Sequence, residues 1–344
     1  MSQIIFCENE NSPHSINWSS YLTIIAKIFI FDFIVKVNKL KIRMGKIIVI
    51  AGATGNLGGK IVQALLAKEA EVRAIVRYST DIKKIKKLEE KGVKVFPLDT
   101  NNKFEIAKHC IGAHCFISAL AGLRETIVDS QKIFLDAAME ANVPRFIPSD
   151  YSIDFTNLRE GQNRNLDWRR EFHTYLQNMP IKATTIFNGP FMDLLVTDMP
   201  LVLFKQKRIL CWGNPNQRME FTSTFNIAEF TAEAALEDNT LRYLRIAGDT
   251  LTCNDFVKLL TEITSNNYKL FRPGGIGLLN FLIQVTRILS PAKDELYPAW
   301  QGMQYMRDMM EGRIIFQKYD NDRYSNIQWT TVKDFLIQEQ VDQK

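Results

Sequence analysis

From residue 46 onward, short β-branched apolar runs alternate with segments whose apolar residues recur every three or four positions. Residues 46–51 (KIIVIA) read as a buried strand ended by glycine. Residues 60–68 carry Ile61, Leu65 and Leu66 on one helical face. A second strand follows at 71–76. Then comes a Lys/Glu-rich helix at 80–91, with Ile82, Ile85 and Leu88 facing in and a solvated basic face. Residues 93–98 are a third strand, 104–110 a short helix and 113–118 a fourth strand. Residues 125–141 have the period of a long amphipathic helix, on Ile127, Ile133, Phe134, Ala137 and Ala138. Residues 145–148 and 182–187 are the fifth and sixth strands, with another helix between. Strands alternating with helices predict an α/β fold, a doubly wound parallel sheet of the Rossmann type.

After Pro190 the pattern loosens. Residues 226–236 read as a helix, 243–247 as a strand, and 252–264 as a helix with Thr252 as candidate N-cap. Residues 271–300 mix glycines, prolines and aromatics. In a doubly wound protein such a tail packs over the carboxyl ends of the strands, where ligands bind. The first 43 residues differ. The apolar run 22–37 is interrupted by Lys27, Asp32 and Lys36 and followed by Lys39, Lys41 and Arg43. A spanning helix wants about 20 predominantly apolar residues, and each central charge costs about 3 kcal/mol, so no stable membrane insertion is expected. Peripheral membrane contact and a non-native or disordered extension both stay open, with Met44 as an alternative start.

Composition adds less. The 344 residues are 46% hydrophobic and 24% charged, an ordinary globular balance. The net charge of +5 does not call for nucleic acid, and it suits steering of an anionic cofactor. The basic stretches 163–165 and 205–208 lack interleaved aromatics and read as solvated loops. The five cysteines, Cys7, Cys110, Cys115, Cys211 and Cys253, form no Cys-x-x-Cys pair. They suggest reduced thiols in a cytoplasmic protein.

The most informative motif is Gly52-Ala53-Thr54-Gly55-Asn56-Leu57-Gly58, between the first strand and the first helix. Gly52 permits the tight turn, Gly55 lets backbone approach a pyrophosphate, and Gly58 lets helix pack closely on sheet. The helix N-terminus offers free N–H groups to the phosphates. Dinucleotide binding is therefore expected. The second strand ends in Arg77, and no acid occurs before Asp81. An arginine there can pair with a 2′-phosphate, although a solvated arginine is the plain alternative, so NADP(H) is preferred over NAD(H). The expected organisation is an NAD(P)-binding Rossmann domain at 44–190 and a smaller α/β substrate-side subdomain at 191–344. Part of the latter, about 226–250, returns to the Rossmann sheet.

Several further segments follow in order: Val76-Arg77, Phe96-Pro97-Leu98-Asp99, FISALAG at 116–122, DAAMEANVPRFIPSD at 136–150, Phe225-Asn226-Ile227-Ala228 and YDNDRYSNIQW at 319–329. With the glycine loop, this set resembles the NmrA-like group of atypical short-chain dehydrogenases/reductases, which includes the isoflavone reductase-like enzymes. The resemblance spans about residues 46–340. It implies cofactor contacts from the loop residues 52–58, Arg77, Asp99, Ala119 and Leu120, and a small-molecule substrate.

Typical short-chain reductases use Tyr-x-x-x-Lys, which this chain lacks. Isoflavone reductase-like members use a lysine in the helix after the fifth strand. The resemblance puts Arg169 or Arg170 at that position, in NLDWRREFHTYL at 165–176. Arginine does not readily deprotonate, but it can bind nicotinamide-ribose hydroxyls or polarise a carbonyl, and Arg169 joins the expected cofactor contacts. Tyr151 is read as a packing residue before a proton donor, and His173 as a helix-surface histidine before a relay. His109, Cys110, His114 and Cys115 have ligand types for zinc, but Cys115 falls in a buried strand and no metal is expected. The first reading is an NADPH-dependent reductase of a small aromatic or carbonyl-containing substrate. A second is a non-catalytic NADP(H)-sensing regulator acting through a protein partner or homodimer, and a third is a sugar-nucleotide epimerase.

Overall fold

The computed structural model describes residues 45–197, 199–313 and 316–340. The readings for residues 1–43 lie outside them. Five strand–helix alternations build the first half: β1 (Ile47–Ala51), α1 (Asn56–Leu66), β2 (Glu71–Arg77), α2 (Ile82–Glu89), β3 (Lys94–Leu98), α3 (Lys103–Cys110), β4 (Cys115–Ser118), α4 (Gln131–Glu140), β5 (Arg145–Ile147) and α5 (Arg164–Leu176). With β6 (Lys182–Ala183) the strands form a parallel six-stranded sheet in the order β3-β2-β1-β4-β5-β6. This is the doubly wound order, with its switch point between β1 and β4.

The period of two along each strand divides the core. Ile48, Ile50, Cys115 and Ile117 face α1, where Ile61, Val62 and Leu65 meet them. Val49, Ala51, Phe116 and Phe146 face the other way, onto Ile106 of α3, Phe134 and Leu135 of α4, and Phe172 and Leu176 of α5. Both faces are covered, so the strands read as continuous apolar runs.

Three expected elements change form. Ile82 is 60% exposed, because it is the first residue of α2, just past the Asp81 N-cap, while Ile85 and Leu88 are buried as expected. The expected helix 125–141 opens as a π-helical turn, Glu125–Ser130, before α4. Ser130 Oγ bonds the Glu125 carbonyl at 3.1 Å across that wide turn. The expected strand 182–187 breaks at Thr184 into β6 and β7 (Thr185–Phe187). There the Thr184 hydroxyl takes a 3.3 Å bond from Arg145, which is 1% exposed.

The second half runs β8 (Val202–Leu203), β9 (Arg208–Trp212), β10 (Met219–Phe221), α6 (Thr224–Leu236), β11 (Tyr243–Arg245), β12 (Asp249–Leu251), α7 (Cys253–Thr264), β13 (Lys269–Gly274), α8 (Ile276–Leu289), α9 (Ala299–Glu311) and α10 (Val332–Gln338). α6 is buried almost throughout and shares the core of α1, and β11 pairs in parallel with β7. α6 thus packs against α1, while β11 joins β7 in a separate two-stranded sheet and not the six-stranded one expected for residues 226–250. Thr252 caps α7 in a capping box, accepting from Asp255 N at 3.1 Å. β13-β9-β8 form a small mixed sheet, and Phe221, Phe256, Leu260, Met306 and Met309 fill the core beside it. The stretch expected as an irregular tail therefore holds a strand and a helix. Among the described residues no helix is long and apolar enough to cross a membrane.

Candidate functional site

Gly52 turns the chain off β1 at φ +88°, in the left-handed region that favours glycine. Gly55 N donates to the Gly52 carbonyl at 3.0 Å, and Gly59 N to the Gly55 carbonyl at 2.9 Å, the first helical bond of α1. A Cβ on Gly52 would stand 2.3 Å from the Ala119 carbonyl oxygen, and one on Gly58 2.1 Å from the Gly52 carbonyl oxygen. Both obstacles are backbone and cannot swing away. Gly55 is exposed, and a Cβ there would meet only the Gly52 oxygen, at 3.3 Å. No side chain caps α1 and no acid occupies its first turn. The amides of Asn56, Leu57 and Gly58 therefore have no partner within the helix, and its positive end is open. Ala53 is buried and Thr54 and Leu57 half-buried beside them. A pyrophosphate fits this turn.

The other expected residues fall on the same carboxyl edge of the sheet. Arg77 is the last residue of β2, exposed, and pairs in register with Leu98 at the end of β3. Its guanidinium has no hydrogen bond or ion pair among the described residues. Asp99 follows β3 and accepts from Asn101 N at 2.9 Å. Ala119 N donates to the Ala51 carbonyl at 2.9 Å, which lays Ala119 and Leu120 beside Gly52.

Beyond β5 the edge becomes charged. Asp150 is 0% exposed. Its Oδ2 accepts from His173 Nε2 at 2.5 Å and Thr185 Oγ1 at 2.8 Å. Burial pushes this carboxyl up. The charge and hydrogen bond of His173, the charge of Arg169 and the Thr185 hydroxyl outweigh it and hold the group below the ordinary carboxylate range. Arg242 donates to Thr185 Oγ1 at 2.8 Å from the outer side. His173 is thus no helix-surface residue: it is 8% exposed and edge-on to Phe155 at 5.1 Å.

The two arginines of α5 part company here. Arg170 is spent on Asp167 at 2.5 Å and on the Phe155 and Leu158 carbonyls, each at 2.7 Å. Arg169 bonds the Asn165 carbonyl at 2.9 Å, and its charge acts on Asp150 and on Tyr305 of α9. Its Nε is buried without a partner, as are Ser118 Oγ at the end of β4, Asp150 Oδ1 past β5 and Asn188 Oδ1 past β7. Buried polar atoms are usually paired, so these unpaired ones make the edge a candidate place for a ligand. Sequence reasoning missed Ser118, Asp150, Thr185, Asn188 and Arg242. The one local signal was Ser149-Asp150, polar residues directly after a buried strand.

Three other candidates sit in packed or paired surroundings. Tyr151 is a core residue beside Thr231, and burial pushes its phenol well up. His109 stacks on Phe96 at 4.0 Å. His114 bonds the Glu237 carbonyl at 2.9 Å.

A doubly wound sheet with a glycine turn at its first strand and polar groups ranged along its carboxyl edge defines a dinucleotide-fold α/β protein. The chain belongs to the NmrA-like family, whose model matches residues 44–270. It is 23% identical over 220 residues to a probable pinoresinol-lariciresinol reductase 3 of Arabidopsis thaliana, covering 62% of this chain and 71% of that protein. Among solved structures it resembles isoflavone reductase, with a TM-score of 0.73 and 18% identity over 86% of this chain and 100% of that one. It also resembles leucoanthocyanidin reductase of Vitis vinifera, solved with NADPH, with a TM-score of 0.68 and 16% identity over 87% and 100%.

Proposed function

We propose that this protein is an NADPH-dependent reductase of a small aromatic or carbonyl-containing substrate. The observation that carries the reading is the glycine turn, uncapped and closed to any Cβ at Gly52 and Gly58, with Arg77 at the neighbouring strand end. The reductase names of the relatives support turnover over sensing alone. When bound, the cofactor supplies a hydride. The free amides of residues 56–58 hold its pyrophosphate, and Arg77 pairs with its 2′-phosphate. Asp99, Ala119 and Leu120 line its path along the strand ends. Arg169 acts by charge, holding a ribose hydroxyl or a substrate oxygen that gains negative charge. Asp150, backed by His173 and Thr185, sets a negative charge within electrostatic reach of that guanidinium.

Two measurements test this. NADPH oxidation should exceed background with at least one of a panel of aromatic ketones, enones and quinones, and silence across the panel would remove the reductase reading. Fluorescence titration should show NADPH binding more tightly than NADH. A charge-assisted hydrogen bond contributes about 1.5–3 kcal/mol, so Arg77→Ala should weaken NADPH about 10- to 150-fold and leave NADH unchanged. Equal affinities in the wild type would refute the assignment of Arg77.

A further inference from the structure

A cavity of about 350 Å³ opens between the loop ahead of α5 and the helices α8 and α9. Its walls carry the amides of Gln162, Asn280, Gln284 and Gln304, together with the Phe281 ring and Arg307. None of these belongs to the glycine turn or the strand-end residues.

The lining states what it can recognise. Arg307 is committed: its Nε and Nη2 donate to Asp308 Oδ1 at 2.9 and 2.6 Å, and Nη2 also to the Gln162 carbonyl at 2.9 Å. Asp308 in turn accepts from Asn163 Nδ2 at 2.7 Å, and Asn163 Oδ1 from Gln301 Nε2 at 2.8 Å. Asp308, Gln301 and Gln304 are 1%, 0% and 3% exposed, so this floor is a built and rigid network. With the arginine paired, the cavity offers an anion no free charge. Asn280 Oδ1 already accepts from Arg307 Nη1 at 3.4 Å and Gln304 Oε1 from Arg164 N at 3.3 Å, so these two offer N–H donors, while Gln162 and Gln284 each offer a donor and an acceptor, the dual character of a hydroxyl group. Phe281 is 62% exposed, an apolar platform at the mouth. Ligand pockets run from about 300 to 1,000 Å³, so this one has room for a single small ring and not for a dinucleotide.

We propose that this cavity binds a neutral polyhydroxylated ring, either a monosaccharide or the glycosyl group of a glycoside. The C–H face of the ring lies on Phe281, and its hydroxyl edge meets the amides. The site stands whether or not the chain turns over NADPH.

Saturation-transfer NMR and calorimetric titration test it with methyl glucoside, methyl galactoside and phenyl glucoside, using phenyl phosphate and cyclohexanol as controls. At least one glycoside should bind saturably and more tightly than both controls. Phenyl glucoside well ahead of methyl glucoside would assign the glycosyl group of an aromatic glycoside, and equal affinities a monosaccharide. Phe281 and Gln284 are exposed, so Phe281→Ala and Gln284→Ala should keep the wild-type Tm. Each should weaken the glycoside about three- to tenfold, the loss of one hydrogen bond or ring contact. The proposal is overturned if no glycoside saturates, if both substitutions leave binding unchanged, or if a control binds more tightly. NADPH titration of the same samples reports the cofactor reading separately.

Discussion

His173→Leu removes the strongest partner of a carboxylate that has no contact with solvent. Asp150 is 0% exposed, and its Oδ2 holds two hydrogen bonds, from His173 at 2.5 Å and Thr185 at 2.8 Å, while Oδ1 holds none. Breaking a buried charged pair by deleting one member costs about 3–5 kcal/mol, chiefly the penalty of the charge left behind. Thr185 and the charge of Arg169 remain here, and leucine still packs against Phe155, so the lower end applies, about 3 kcal/mol. At roughly 2–4 °C per kcal/mol for a domain this large, Tm should fall by about 6–12 °C. His173→Gln, which keeps an N–H donor, should recover about half of the loss. The sign with pH follows from the depressed carboxyl of Asp150. Its contribution is complete above the unfolded value of about 3.9 and is lost as pH falls through the lower folded value. Urea unfolding of wild type, His173→Leu, Asp150→Asn and the double variant gives the coupling energy, expected above about 1.5 kcal/mol. A His173→Leu protein within about 0.5 kcal/mol of wild type at pH 7, or a coupling near zero, would refute the reasoning.

Three further outcomes are expected. Gly58→Ala puts a methyl 2.1 Å from the Gly52 carbonyl, so α1 must move off β1, costing about 1–3 kcal/mol and most of the NADPH affinity; an unchanged titration would contradict the loop geometry. Arg145 bonds the Ala234 carbonyl at 2.6 Å and Thr240 Oγ1 at 2.6 Å, closing the carboxyl end of α6 from inside the protein. Arg145→Met orphans those acceptors and should cost about 2–4 kcal/mol by urea denaturation, whereas a Tm equal to wild type would exclude that role. Glu220 accepts from Phe316 N at 2.7 Å and Tyr319 Oη at 2.9 Å, yet burial pushes its carboxyl up to about 7. A raised folded pKa means stability that is present in acid and lost as pH rises through about 7. Glu220→Gln should therefore gain about 1–2 kcal/mol on wild type between pH 6 and 8.5, and a difference that does not vary with pH would exclude it.

The parallel sheet was legible because each of its central strands is largely buried, which writes a short, mostly apolar run into the chain at 46–51, 71–76 and 113–118. The cap at Thr252 was legible because its partner, Asp255, is three residues away. α8 was not, for a physical reason. It buries Leu279 and Ile283 while leaving Leu278, Phe281, Ile288 and Leu289 exposed, so apolar residues on its outer side blur the buried stripe. The break at Thr184 depends on Arg145, and the π-turn on one extra residue per turn that no composition announces.

The edge chemistry divides along the same line. Gly52, Gly55 and Gly58 lie within one turn, so their spacing carries their meaning. The group around Asp150 draws on His173, Thr185 and Arg242, which only the sheet order brings together: β5 beside β6, and β7 beside β11. In the sequence, His173 is one polar residue next to Phe172, and the helical period cannot tell a position just inside the buried arc from one just outside it. Asp150 decides the matter, because a buried carboxylate must be paired and His173 is the residue α5 presents to it. The same step separates Arg169 from Arg170. The loop at 155–158 takes up Arg170, so Arg169 is the cation of the pair left at the strand ends. An alignment by resemblance names both positions, and the pairing of buried polar atoms is what favours Arg169 in the proposed site.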